Sequence, residues 1–85
     1  NSIVKCIGAI TEVRQLRTKK GELMAFAQLE DEFGTIALTL FPKEYNQVAS
    51  RLKEDAFVYV EGYLESRFNK LQLKVKKLLI QTHNE

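Results

Sequence analysis

Residues 18–45 read TKKGELMAFAQLEDEFGTIALTLFPKEY, and the order of parts within this stretch predicts the architecture of the chain. A basic turn ends at Gly21 and is followed by two strand-like runs, Met24 to Glu30 and Thr35 to Phe41. The Asp-x-x-Gly turn between the runs makes them a hairpin, and the Phe-Pro pair after the second run opens a helix. A hairpin followed by such a helix is the middle of a small five-stranded Greek-key barrel.

The segment before this stretch is predicted to form the first strand and most of a basic loop. Ile3 to Val13 is rich in apolar residues whose spacing changes phase near Gly8, so we expect a β-bulge or a barrel bend at that glycine. Arg14 to Gly21 then follows as a loop that carries four cations within eight residues.

The segment after this stretch supplies the helix and the last two strands. Apolar residues recur at helical spacing after Pro42 and predict a helix that ends near Lys53. Phe57 to Glu65 alternates as a fourth strand, and residues 71–76 alternate as a fifth after a hairpin turn at residues 67–70. The sequence therefore predicts an all-β, five-stranded Greek-key barrel with one short helix between strands 3 and 4.

The length of the chain limits its domain organisation. Eighty-five residues suffice for one domain, which we expect to span residues 1–85. The core of so small a domain is modest, which argues against an enzyme with its own deep cleft. No apolar run approaches the ~20 residues that cross a bilayer. Because the chain begins at Asn1 rather than Met, we interpret it as a fragment of a longer protein.

Residues that carry chemistry are sparse. Cys6 is the single cysteine, which excludes an internal disulfide and fits a reducing compartment, so we expect a cytoplasmic protein. The single histidine, His83, lies far away in a polar tail, and no metal site is predicted. The acids at residues 30–32 suggest metal or acid–base chemistry, but Asp31 is better explained as a turn former that bonds its own backbone. We therefore expect no catalytic residue, metal or cofactor.

The net charge of +2 conceals an uneven distribution of charge. Residues 1–20 carry five basic side chains and one acid, and residues 67–85 carry the same numbers. The residues between them carry three basic side chains and nine acids. If the fold brings the two basic segments together, they form a positive track for phosphates. The alternative is that these lysines and arginines only keep exposed strands soluble.

Strand alternation predicts which side chains of the hairpin face outwards. One alternating set is uniformly apolar and is assigned to the barrel interior. The other set places Phe26 on the outer face, with Gln28, Ala37 and Thr39 around it. A large ring among small and polar neighbours suits the stacking of a nucleic-acid base. Alternatively, another domain or a loop covers Phe26.

Two basic loops are expected to flank this outer face, because both lie near the same rim of such a barrel. The first ends in Gly21, which lets the chain turn tightly. Cations in such loops suit contact with phosphates, although they can instead pair with acids elsewhere in a longer protein. The candidate phosphate contacts are Arg14, Arg17, Lys19 and Lys20 in the first loop, and Arg67 and Lys70 in the second.

The other aromatic residues have structural interpretations. Tyr45 falls on the apolar stripe of the helix and is expected to plug the bottom of the barrel. Tyr59 and Tyr63 share the outer side of the fourth strand, away from the expected site. We expect Phe33, in the hairpin turn, to dock on a neighbouring surface. Phe68, at the tip of the second basic loop, is expected to pack within its hairpin rather than to stack on a base.

Three segments together resemble a known family: TKKGELMAFAQLED, GTIALTLFPKEY and LKEDAFVYVEGYLE. They are similar to the OB domain in the C-terminal part of the bacterial DNA polymerase III alpha subunit, within the wider nucleic-acid-binding OB class that includes anticodon-binding domains. The resemblance covers nearly the whole chain. The positions that match the family pattern are Lys19, Lys20, Gly21, Met24, Ala25, Phe26, Leu29, Glu30, Asp31, Gly34, Ile36, Phe41 and Pro42.

This resemblance implies an OB-fold module that holds single-stranded template DNA in a replicative polymerase during DNA replication. The polymerase carboxylates would lie elsewhere in the parent, so these residues would bind DNA without catalysis. The anticodon-binding branch also supports Phe26 as the stacking position. The implied partners are single-stranded DNA, the remainder of the polymerase chain and other replisome proteins. Two alternatives stay open: an OB domain that binds a replication protein, and a tRNA anticodon-binding domain.

Overall fold

The computed structural model describes residues 3–67 and 69–81, with Arg67 described in its backbone alone. Its elements are β1 (Ile3–Arg17), β2 (Leu23–Asp31), β3 (Gly34–Leu40), α1 (Pro42–Val48), β4 (Phe57–Arg67) and β5 (Lys70–Gln81). The five strands form a closed barrel in the order β1-β2-β3-β5-β4. The predicted all-β barrel, with one short helix between strands 3 and 4, is confirmed. No helix within these residues is long and apolar enough to cross a membrane.

The barrel closes through one long strand and one parallel pairing. β1 pairs with β4 over residues 3–9 and with β2 from Ala9 onwards, so a single strand serves two neighbours. β3 and β5 are the parallel pair, and they are in register at three positions only: Ala37 opposite Gln72, Leu38 opposite Leu73 and Thr39 opposite Lys74. This short seam joins the two antiparallel parts of the sheet and is a long-range contact.

Gly8 lies where β1 passes from one neighbour to the other. A Cβ atom at this position would collide with the backbone oxygen of Glu30, so this close approach of β1 to β2 needs a residue without a side chain. The register irregularity itself lies between Ile10 and Glu12, opposite β2. Gly8 thus marks the change of partner strand, and the register irregularity lies a few residues further along β1.

The polar end of β1 is a strand and not the predicted loop. Arg14 pairs with Phe26 and Arg17 pairs with Leu23, and the connection to β2 is confined to residues 18–22. Two backbone hydrogen bonds, from Thr18 N to Glu22 O and from Gly21 N to Thr18 O, close this short turn. The prediction of a loop over residues 14–21 was wrong because charged residues are accepted on the solvent side of a paired strand.

The core fills the barrel interior and is closed at one end by α1. The largest fully buried side chains are Ile10, Leu29, Leu38, Leu40, Val58, Val60 and Leu73. Tyr45 on α1 is only 4% exposed and belongs to this core, as predicted. Its hydroxyl oxygen accepts a hydrogen bond from Gln15 Nε2 at 2.8 Å, which satisfies the one polar atom that the ring brings into the apolar end.

The helix is shorter than its apolar pattern predicts. It ends at Val48, and the backbone N–H groups of Arg51 and Leu52 both donate to the Val48 carbonyl in the turn that follows. Leu52 still reaches the core at 7% exposure, although it is not helical. The predicted end near Lys53 was wrong because this turn places Leu52 in the core without continuing the helix.

The turn between β2 and β3 is built by one carboxylate. Asp31 Oδ1 accepts hydrogen bonds from the backbone N–H of Phe33 at 2.7 Å and of Gly34 at 3.1 Å. The interpretation of Asp31 as a turn former is confirmed. Phe33 itself is 90% exposed, so the prediction that it docks on a neighbour does not hold within the described chain. These backbone bonds fix the turn and leave its ring in solvent.

Candidate nucleic-acid interface

Four strands place their outward side chains in two transverse rows. We call the row of Arg14, Phe26, Thr39 and Lys74 the upper row, in which each residue lies opposite the next across a strand pair. The lower row consists of Glu12, Gln28, Ala37 and Gln72 in the same strand order. Since side chains opposite each other share a face of the sheet, the two rows form one continuous surface.

Phe26 faces outwards, as strand alternation predicts. Its side chain is 40% exposed, whereas Ala25, Ala27 and Leu29 are at most 2% exposed. A cleft of about 200 Å³ lies beside the ring. The residues that line it are Glu12, Arg14, Phe26, Ala27, Gln28 and Ala37. The ring is thus accessible to a flat ligand entering from the solvent side.

A second and larger cleft, of about 800 Å³, continues from the first. Gln28 and Ala37 line both clefts, which makes them one groove across the outer face. The second cleft extends along β3 to Thr35 and reaches Lys70 at the start of β5. This second cleft exists because β3 and β5 pair only over residues 37–39 of β3. The two strands separate on the N-terminal side of these residues. The groove therefore has Arg14 at one end and Lys70 at the other.

Thr39 lies on the predicted face but is not exposed. It is 8% exposed, and its hydroxyl donates a hydrogen bond to Gln72 Oε1 at 3.1 Å. Its neighbours in the upper row, Phe26 and Lys74, have much larger side chains, which explains why a short side chain between them loses contact with solvent. The structure thus gives Thr39 a supporting contact with Gln72 rather than a free hydroxyl.

The first basic connection is held by its own hydrogen bonds. Arg17 Nη1 donates to the Gly21 carbonyl at 2.7 Å, and Thr18 Oγ1 accepts from the Glu22 N–H at 3.2 Å. Gly21 has a φ of 87°, a left-handed conformation that favours glycine. Lys19 and Lys20 are exposed at the tip of this turn, and Arg14 and Arg17 are exposed on the strand that leads into it. Three of the four predicted cations therefore lie in or beside this turn, and Arg14 lies three residues before Arg17 in the upper row.

The second basic hairpin is described in part. Lys70 is exposed and lines the larger cleft, next to Asn69, whose φ of 63° makes the turn. The side chain of Arg67 and the whole of Phe68 lie outside the described residues. The predicted contacts of Arg67 and the predicted packing of Phe68 stay predictions.

Two residues of this surface were missed by the sequence interpretation. The Lys74 ammonium lies 5.3 Å from the centroid of the Phe41 ring, and Phe41 is 40% exposed. Alternation within β5 already indicates that Lys74 points outwards, but nothing local indicates that β5 lies beside β3. Phe41 ends the predicted third strand, and alternation with Thr39 was the signal that could have placed its ring on the outward face.

The two tyrosines of β4 differ in their distance from the site. Tyr59 lies opposite Ile7 of β1 and Leu79 of β5, on the far side of the barrel, as predicted. Tyr63 instead lies opposite Lys74 and extends the upper row by one strand. The prediction that Tyr63 is away from the site was wrong, because the parallel β3–β5 seam brings β5 and its partner β4 round to the groove.

The described surface carries few side chains suited to nucleophilic chemistry or metal binding. Partial burial and the nearby Asp31 carboxylate raise the pKa of the Cys6 thiol, which keeps it protonated and a poor nucleophile. Within residues 3–67 and 69–81, no three histidine, cysteine or acidic side chains are grouped closely enough to hold a metal ion. What the surface offers is an exposed ring, a groove and cations at both of its ends.

A closed five-stranded barrel with such a groove is typical of OB-fold domains. The chain belongs to the tRNA anti-codon family, described as OB-fold nucleic acid binding domain, whose model matches residues 4–80. The sequence is similar to the DNA polymerase III subunit alpha of Halalkalibacterium halodurans, with 38% identity over 81 residues. That match covers 94% of this chain and 7% of the relative. The resemblance to bacterial DNA polymerase III alpha subunits is thereby confirmed.

A second relative agrees with this placement, and a solved structure has the same fold. The DNA polymerase III subunit alpha of Bacillus subtilis is 35% identical over 63 residues, which are 74% of this chain and 6% of the relative. The chain thus spans a small fraction of the relatives that it matches. The mitochondrial single-stranded DNA binding protein Rim1 of S. cerevisiae has the same fold, with a TM-score of 0.77, 15% identity and coverage of 99% of this chain and 97% of Rim1.

Proposed function

We propose that this chain is a single-stranded DNA-binding module of a bacterial replicative polymerase, and that it holds template DNA during replication. The observation that carries the proposal is the continuous groove across the outer face, which contains the exposed Phe26 ring and ends at Arg14 and Lys70. Its similarity to DNA polymerase III alpha subunits supports the assignment to a polymerase.

The proposed mode of binding combines stacking with phosphate contacts. Every base has a flat face, so a base stacked on Phe26 is bound irrespective of its identity. Cations near the two ends of the groove would contact the sugar–phosphate backbone of the strand on either side of the stacked base. They are Arg14, Arg17, Lys19 and Lys20 at one end, and Arg67 and Lys70 at the other. Thr39 would act through Gln72, whose amide it holds, and Gln28 would line the groove where its two clefts meet. Such a site binds weakly and with little sequence preference.

The proposal places this module within a longer polymerase chain. Residues 1–85 would form one OB domain of that chain, and the residues that catalyse nucleotide addition would lie outside it. The module would work in the cytoplasm, where the remainder of the polymerase and other replisome proteins are its partners. Its contribution to replication is then the retention of an unpaired strand.

An NMR titration with a short oligo-dT tests the proposal directly. We expect shifts concentrated on β2, β3 and the two basic connections, fast exchange on the chemical-shift timescale, and weaker shifts when salt is raised. Oligo-rU and a DNA duplex are the comparison ligands. Shifts confined to the opposite side of the barrel, or tighter binding to duplex, would overturn the proposal. Preference for oligo-rU over oligo-dT would instead favour an RNA-binding role of the tRNA anti-codon type.

The alternative role as a protein-interaction module predicts a different outcome. Binding of a replication protein through the same face would leave the oligo-dT spectrum unchanged and would produce a complex insensitive to salt. The uneven charge favours nucleic acid, since Arg14 lines the groove and the exposed Arg17, Lys19 and Lys20 follow it along the chain.

A further inference from the structure

Phe41 continues the outward face of β3 beyond the last residue of that strand. Its backbone is extended, with φ of −71° and ψ of 165°, so alternation places its side chain on the same face as that of Thr39. The ring is 40% exposed, the same fraction as that of Phe26. An exposed aromatic ring directly before a helix, on the face that carries the groove, is not needed to close the core.

The position of Phe41 relative to Phe26 follows from the strand register. Phe26 lies opposite Thr39, and Phe41 is two residues further along, which makes the two aromatics diagonal neighbours. Diagonal neighbours across an antiparallel pair are about 7–8 Å apart. This spacing is roughly twice the ~3.4 Å rise between stacked bases of one strand. Two rings anchored at positions so spaced would fit consecutive bases only when those bases are unstacked.

Lys74 lies beside the Phe41 ring and two strands away from Phe26. It is opposite Thr39 across the parallel seam, and Thr39 is in turn opposite Phe26. Its ammonium lies 5.3 Å from the centroid of the Phe41 ring, within the range of a cation–π contact. A single cation thus contacts the Phe41 ring and lies in the same row of outward side chains as Phe26.

We propose that Phe41 is a second stacking platform, and that Phe26, Lys74 and Phe41 together bind a dinucleotide step of an unpaired strand. Each ring takes one of two consecutive bases, and the Lys74 ammonium contacts the phosphate that joins them. This inference rests on the proposed function, because it assigns further residues to the same groove. It also predicts discrimination by shape: a stacked duplex cannot present consecutive bases at this spacing.

The test uses matched phenylalanine-to-leucine substitutions, which remove the aromatic face and keep an apolar side chain. Phe41→Leu is the test variant and Phe26→Leu the positive comparison. Phe57→Leu is the control, because Phe57 is 44% exposed and lies on β4 opposite Ala9 and Gln81, away from both rows. Binding of a fluorescein-labelled oligo-dT is measured by anisotropy, and folding is checked by thermal melt.

We expect Phe41→Leu and Phe26→Leu each to raise the Kd by about tenfold, as for the loss of one stacked base. Phe57→Leu should leave the Kd unchanged. If Phe26→Leu weakens binding and Phe41→Leu matches the Phe57→Leu control, the second platform is wrong and the proposed function stands. If the wild type itself does not bind oligo-dT, the proposed function fails and this inference fails with it.

A measurement on the wild type tests the second platform even if the Phe41→Leu protein does not fold. When a base stacks on a ring, its ring current shifts the ring protons upfield, so the Phe26 and Phe41 ring signals should both move upfield on titration with oligo-dT. The Phe57 ring signals should stay in place. Phe41 ring signals that do not move at saturation would overturn the assignment.

The phosphate contact of Lys74 has its own matched pair. Lys74→Met should reduce the slope of log Kd against log salt by about one unit, since one phosphate contact is lost. Lys77→Met is the control, because Lys77 lies opposite Glu61 on the far side of the barrel. Equal slopes for the two variants would remove Lys74 from the phosphate path.

Discussion

Phe26 on β2 lies directly opposite Thr39 on β3, and the two side chains share the outer face of the barrel with very different exposure. The Phe26 ring is 40% exposed, whereas Thr39 is 8% exposed and donates its hydroxyl hydrogen to Gln72. A short polar residue therefore supports the surface from below, and the larger aromatic residue stands above it. Phe26 should therefore contribute mainly to binding, and Thr39 mainly to stability.

Phe26→Ala should weaken binding of a single strand by about 1–3 kcal/mol through the loss of stacking. Because the ring is partly exposed, the free energy of unfolding should fall by less than about 1.5 kcal/mol. Leu29→Ala is the matched control on the interior side of the same strand, at 1% exposure. It should cost about 2–5 kcal/mol of stability and cause no specific loss of binding. A Phe26→Ala protein that melts as low as Leu29→Ala would contradict the stacking role.

The triple substitution of Arg17, Lys19 and Lys20 by Ala should lower affinity and flatten the salt dependence by roughly one unit of slope per lost phosphate contact. A triple control with the same change of charge replaces Lys5, Lys53 and Lys77, which are exposed outside the basic connection. Anisotropy at several salt concentrations separates the two. Equal slopes for the two triple variants would exclude the basic connection from the binding site.

Gly8→Ala should destabilise the barrel by about 1–3 kcal/mol, because the new methyl group would meet the backbone oxygen of Glu30 where β1 passes from β4 to β2. Gly62→Ala should behave alike, since its methyl group would meet the backbone oxygen of Lys74. Ser66→Ala on exposed β4 is the control and should change stability by less than about 0.5 kcal/mol. Urea unfolding measures all three. A Gly8→Ala protein as stable as Ser66→Ala would refute the close approach.

Asp31→Ala should destabilise the β2–β3 turn by about 1 kcal/mol, because the carboxylate accepts hydrogen bonds from the backbone of Phe33 and Gly34. Glu32→Ala removes the same charge from an exposed neighbour and is the control. Amide hydrogen exchange at Gly34 should quicken in the first variant alone. Similar exchange in both would mean that charge, and not the turn bonds, matters here.

Lowering the pH should reduce the stability of the barrel through Glu61, on the side away from the groove. The Tyr59 hydroxyl donates to Glu61 Oε2 at 2.6 Å and lowers the pKa of that carboxyl, and Lys77 lowers it further. Because the folded pKa lies below the unfolded one, the stabilisation is present above the unfolded pKa and is lost as pH falls through the folded pKa. Tyr59→Phe should raise the pKa of Glu61 in an NMR titration and leave oligo-dT binding unchanged. An unshifted Glu61 titration in Tyr59→Phe would refute the hydrogen bond.

Local signals in the sequence determined the hairpin and its orientation. Asp31 and Gly34 specify the turn through contacts within four residues, and alternation along β2 puts Leu29 inside and Phe26 outside. The inward and outward faces of β2 could be predicted for one physical reason. A strand that is buried on one face must keep its register, because a slip of one residue would expose the apolar set.

Tertiary structure alone decided which surfaces meet. The parallel pairing of β3 with β5 joins residues more than thirty positions apart, Thr39 and Lys74 among them, and no local pattern encodes it. That seam buries Thr39, brings Lys74 to Phe41 and carries Tyr63 to the edge of the groove. The extension of β1 through Arg17 has the same origin, since a polar segment becomes a strand only when a partner satisfies its backbone. The sequence by itself determined the faces of each strand, and closure of the barrel decided their neighbours.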